Sequence, residues 1–132
     1  MKDRLFEIVR LAARWLFWPG VALIVWGELT PTPPDEAQFV WDKLEHFTAY
    51  FGLAAMAMLV LAARGARART LALALAGIWL LGGVLEIVQA FVGRDAELGD
   101  VAANSIGVLA GAAVAWLFLW LTGHLRGRPP AC

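Results

Sequence analysis

Asp42, Lys43 and His46, Glu86 and Gln89, Arg94, and Asp100 with Asn104 are the residues of this chain whose types can do chemistry. Carboxylates and an imidazole can move protons. An ammonium and a guanidinium can hold an anionic group. Their spacing sorts them. Asp42, His46 and Tyr50 recur every four residues, Glu86 and Gln89 are three apart, and Asp100 and Asn104 are four apart. Each set therefore shares one face if its segment is helical. Around them stand mostly Ala, Leu, Val, Ile, Gly and Trp. Ionisable groups embedded among apolar spans are costly, and they mark a functional site or a held partner.

The elements that must position these groups are long apolar runs. The chain has 132 residues, 61% of them hydrophobic, where soluble domains average about 45–50%. The excess falls in four blocks, 11–29, 44–63, 71–92 and 101–122. About 20 apolar residues in a helix cross about 30 Å of hydrocarbon. The pattern predicts an all-α membrane protein, a four-transmembrane-helix bundle with both termini cytoplasmic. Residues 1–10 read as an amphipathic cytoplasmic lead-in, 11–122 as the transmembrane domain and 123–132 as a cytoplasmic tail. Pro19-Gly20 interrupts the first block, which neighbouring helices can tolerate. A cleaved leader is the alternative for that block. No small-x-small site precedes the polar loop, so a retained helix is expected.

Charge sets the orientation. Lys2, Arg4, Arg10, Arg14, Arg64, Arg67, Arg69, Arg126 and Arg128 all fall on one side of a four-span arrangement. Only Lys43 and Arg94 fall on the other. The positive-inside rule makes the arginine-rich side cytoplasmic and turns the polar cluster to the extracytoplasmic face of the plasma (inner) membrane. Arginines so placed anchor against anionic lipid rather than nucleic acid. Cys132 is the sole cysteine, so no internal disulfide forms, and it lacks a C-a-a-X setting. Trp15, Trp18, Trp26, Trp116 and Trp120 mark interfaces, whereas Trp79 falls deeper and reads as packing.

Turning the three polar faces inward spares all of them lipid contact and makes an outward-opening pocket. Glu86 is the deepest acid, roughly 9 Å below the outer end of its block at 1.5 Å per residue. It needs a cation or a proton, and Arg94 and Lys43 are the candidates. Plainer roles compete. Asp42 and Asp100 can be helix N-caps. Lys43 can be an interfacial anchor, and His46, Gln89 and Asn104 can be interhelical glue. His46 with Asp42, Glu86 and Asp100 offers metal-ligand types, but D-x-x-x-H without a second His on that face is no metal signature. No metal and no other cofactor is expected. Ser105 is the only serine and has no nucleophile motif around it. Gly107 and Gly111, with Ala103 a turn earlier, let helix backbones approach closely, within the chain or between two copies.

The stretch WDKLEHFTAYFGLAAM (41–56) resembles the first motif of the VanZ-like family. The stretch GVLEIVQAFVGRDAELGDVAANSIGVLAG (83–111) resembles its second. The family's motif positions fall here on Asp42, Lys43, His46, Phe47, Tyr50, Glu86, Gln89, Arg94, Asp100, Asn104 and Gly107. Glu28 departs from the small polar residue that relatives often carry before the Pro-rich loop. The resemblance implies a small integral membrane protein with a link to teicoplanin resistance, and it supplies no biochemical activity. Two readings of the cluster follow. In one, Glu86, His46, Asp42 and Asp100 are candidate acid/base groups. Lys43, Arg94, Gln89, Asn104 and Tyr50 then bind a membrane lipid or a lipid-linked cell-wall precursor through an anionic group. In the other, the cluster only fixes helix packing. A proton-coupled transporter is a third option, for which four helices are few.

Overall fold

The computed structural model describes residues 2–31, 38–93 and 96–125. The described residues form four helices, α1 (Lys2–Leu29), α2 (Gln38–Ala62), α3 (Ala68–Gln89) and α4 (Leu98–Leu121). Each is long and apolar enough to cross a membrane. Short connections make successive helices antiparallel. The C-terminal end of α1, the N-terminal end of α2, the C-terminal end of α3 and the N-terminal end of α4 therefore share one end of the bundle.

Helices α2, α3 and α4 begin three to six residues before their apolar blocks, and two further differences bear on the packing. The lead-in and the first span form one helix, which continues across Pro19. Nothing between residues 2 and 18 breaks a helix, and Phe6 is buried with Met58, Ala62, Ala115 and Leu119. Beyond α4, His124 stacks on Phe6 with ring centroids 3.6 Å apart, and its Nε2 lies 3.4 Å from Asp3 Oδ1. The start of α1 and the chain beyond α4 thus meet at the same end. The second difference is the end of α3, at Gln89 rather than Val92. Residues 90–93 turn, and Gly93 takes a left-handed φ of 81° that a side chain would resist. Glu86 accordingly sits in the last helical turn, about 4.5 Å from the helix end instead of about 9 Å.

The α2–α4 seam is the closest packing in the molecule. A Cβ on Gly107 would lie 2.5 Å from the Phe47 carbonyl oxygen, and one on Gly111 would overlap the Phe51 carbonyl. Backbone thus touches backbone, as small-residue stripes permit. Both glycines are buried inside the chain. The stripe read as a possible link between two copies is taken up by α2 of the same chain.

The outer surface suits lipid. Leu16, Leu23, Leu109, Val114 and Leu121 are exposed, as are Trp15, Trp18, Trp26, Trp116 and Trp120. Trp79 is also exposed rather than packed inside; its indole N–H donates to Ser105 Oγ at 2.8 Å. The Thr48, Ser105 and Thr122 hydroxyls bond to their own helix. Thr48 donates to the Leu44 carbonyl at 2.8 Å and Ser105 to the Val101 carbonyl at 2.7 Å. Such back-bonding satisfies a hydroxyl where no water is available.

Candidate functional site

The polar residues converge where the four helix ends meet. His46 is their centre and is 3% exposed. Its Nδ1 lies 3.1 Å from Asn104 Oδ1 on α4, 3.5 Å from Glu28 Oε1 on α1 and 3.8 Å from Glu86 Oε1 on α3. With Glu28 and Glu86 ionised, all three neighbours are acceptors, and Nδ1 then carries the ring proton. Nε2 then has the lone pair, and it lies 3.9 Å from Asp42 Oδ2 one turn earlier on α2. An imidazole held in one tautomer by acceptors on one nitrogen can take up a proton on the other.

Lys43, one turn before His46, also faces α4. Its Nζ donates to Glu97 Oε2 at 2.7 Å and to Asp100 Oδ1 at 3.1 Å. A Cβ on Gly99 would fall 2.7 Å from Lys43 Cε, so that glycine leaves the path open for the lysine stem. Asp100 is buried in the first turn of α4 and Asp42 lies in the second turn of α2. Neither is an N-cap: Glu97 holds that position on α4, and α2 starts four residues before Asp42. Lys43 is a tether between α2 and α4, and an anion would have to displace a carboxylate to reach it.

A third layer sits behind. Gln89 Nε2 donates to the Glu28 carbonyl at 2.9 Å, and the Tyr50 hydroxyl donates to Glu28 Oε2 at 3.4 Å. Tyr50, Gln89, Asp100 and Asn104 are almost fully enclosed. Gly82 on α3 makes room for them: a Cβ there would meet Asn104 Nδ2 at 2.8 Å and the Tyr50 ring at 3.0 Å.

Sequence reasoning placed Asp42, Lys43, His46, Tyr50, Glu86, Gln89, Asp100 and Asn104 together, and the structure brings all eight to one end. Arg94 lies outside the described residues. Two acids were missed. Glu28 is buried against His46, Tyr50 and Gln89, and Glu97 holds Lys43. Glu28 was legible by the same sign as Glu86, a lone acid inside an apolar run. The site is also less open than expected. Most of its members are enclosed, and the open side is a cleft of about 520 Å³ between α1 and α2 that Glu28, Asp42, Glu45 and His46 reach.

Asp42, His46 and Asp100 present ligand atoms within 4.8 Å of one another, a set that can hold a divalent ion. The Lys43 ammonium already lies against Asp100 and brings positive charge to the same spot. No model of a known family, no curated protein and no solved structure matches this chain.

Proposed function

We propose that this chain is a VanZ-like integral membrane protein whose polar site binds or acts on a lipid-linked molecule of the cell envelope, with His46 as its acid/base group. The site lies at the extracytoplasmic face of the plasma membrane and both termini in the cytoplasm, as the arginine distribution directs. The observation that carries the reading is the His46 environment. One imidazole, buried in a membrane bundle, has acceptors from three other helices at Nδ1 and a carboxylate at Nε2. A proton taken from a substrate hydroxyl would go to Nε2. The imidazolium so formed would be stabilised at Nδ1 by Glu28 and Glu86 and at Nε2 by Asp42, as a carboxylate stabilises the histidine of a hydrolase triad. Lys43 is a weaker candidate for gripping an anionic headgroup, since Glu97 and Asp100 hold it.

The structural reading keeps one observation in its favour. His46–Asn104, Gln89–Glu28 and Lys43–Asp100 are all bonds between helices. The test separates the two. Lipid-linked envelope molecules are measured by mass spectrometry, both in cells making the chain and in the purified protein. His46→Gln and Glu86→Gln should abolish the change in that pool, or the copurifying species, while insertion and melting stay close to wild type. Loss that tracks melting, or no difference at all, decides for structural glue.

A further inference from the structure

The cleft that leads to His46 is not an aqueous funnel. It runs down the side of the bundle, between α1 and α2, and its two ends differ in chemistry. Glu28, Asp42 and His46 stand at the top. Gly20, Leu23, Ile24 and Met56 line the shaft below, over the buried Leu53. On α1, positions 20, 23, 24, 27 and 28 form one helical face, so the polar and apolar parts are one continuous surface. The floor is the place where α1 rests on α2. A Cβ on Gly20 would lie 3.6 Å from Leu53 Cδ2 and 3.6 Å from Met56 Cε, an ordinary contact. Higher on the same face Ile24 still packs on the core, but the wall opens at Gly27. Gly27 meets nothing within 4 Å of the position where its Cβ would be. Leu23 and Thr48 at the rim are exposed, so the cleft opens sideways.

Its length is informative. From His46 to Met56 is ten residues of α2, about 15 Å at 1.5 Å per residue. Half of a hydrocarbon core about 30 Å thick is the depth of one leaflet. A polar end at the interface and an apolar shaft one leaflet deep match a single lipid chain under its headgroup.

We infer that the α1–α2 cleft is the substrate entry and tail-binding groove: a lipid of the same leaflet slides in sideways, seats its headgroup at His46, and lays one chain along Gly20, Ile24 and Met56. This rests on the site reading above and adds to it the class of substrate, an amphiphile presented by the membrane rather than a solute from outside. A chain gains no hydrophobic free energy by leaving its lipid neighbours. Selection must come from the headgroup contacts, and the shaft provides a matching path.

The probe is a lysophospholipid with a diazirine at its chain terminus, reconstituted with the full-length chain in vesicles. Adducts are located by peptide mass spectrometry. Adducts at Ile24 and Met56 should exceed those on the outward face of α4, at Leu109 and Val114, by about tenfold, the preference that one charge-assisted hydrogen bond to the headgroup confers. Gly27→Trp fills the open part of the cleft and should remove that excess. Gly83→Trp adds the same bulk on α3, where a Cβ also meets nothing within 4 Å, and should leave it intact. Melting of both variants is followed in parallel, and Gly27→Leu replaces Gly27→Trp if the indole unfolds the chain. Equal labelling of the cleft and of Leu109 and Val114, or an excess that survives the filled cleft, overturns the groove. If copurification of a lipid-linked species still depends on His46 while the groove fails, the site reading stands and only the route is wrong.

Discussion

α2 is held by α4 on one side and by α1 on the other, and the two contacts are built differently. Against α4 it lies backbone to backbone at Gly107 and Gly111, with Lys43–Asp100 and His46–Asn104 fastened above. Against α1 it meets ordinary side-chain contacts at Gly20, then a cleft beside Glu28. The tight seam fixes the imidazole and the lysine, the groups whose geometry decides the chemistry. The loose seam supplies Glu28 and the wall of the cleft. A site that must hold its own groups still and yet admit a large partner needs one contact of each kind.

The contrast breaks most easily at the glycines. Gly111→Val pushes a branched side chain into the Phe51 carbonyl and should cost on the order of 3 kcal/mol, enough to lose much of the inserted protein. Gly20→Ala adds a methyl at contact distance and should change stability by about 0.5 kcal/mol or less. Thermal melting in detergent measures both. Equal effects would mean that α1 and α4 hold α2 alike.

The next largest effect belongs to the lysine tether. Lys43→Met strips Asp100, 2% exposed, of its ammonium. Breaking a fully buried pair costs roughly 3–5 kcal/mol. Lys43 is a quarter exposed, so solvent screening brings the expected loss to about 2 kcal/mol. Adding Asp100→Asn should restore part of it, and the non-additivity measured over the four proteins gives the coupling. Full additivity would show that the two residues act independently.

Most of this was legible in the sequence because lipid is a demanding solvent. Apolar blocks of spanning length gave four helices, and i, i+3 and i, i+4 spacings gave the polar faces of α2, α3 and α4. Three things were hidden. The end of α3 depends on a turn at Gly93 inside a run that stays apolar to Val92, so hydropathy alone overran it. The partner of Lys43 was hidden because Glu97 stands in a polar connection, where an acid carries no cost and draws no notice. The partner of the Gly107 and Gly111 stripe was hidden because a small-residue face reads the same whether another helix of the chain or a second copy lies against it.

Tyr50→Phe tests the bond across the loose seam. The hydroxyl reaches Glu28 Oε2 at 3.4 Å, a long hydrogen bond between α1 and α2. The loss should be about 1 kcal/mol in melting. A larger loss would make α1 better fastened than its cleft implies.

Among the hydrogen bonds between helices, the smallest effect should come from the surface, and it calibrates the others. Trp79 on α3 donates to Ser105 on α4 at 2.8 Å, and Ser105 in turn donates to the Val101 carbonyl at 2.7 Å. Neither residue belongs to the cluster, although the bond joins two helices as His46–Asn104 does. Interhelical hydrogen bonds in membranes average about 0.6 kcal/mol, because side chains also find partners when helices separate in the bilayer. Ser105→Ala should cost about that much and leave any activity of the site unchanged. If it instead costs as much as Lys43→Met, hydrogen bonds at the lipid surface and in the cluster are worth the same. The polar end of the bundle would then need no purpose beyond holding four helices together.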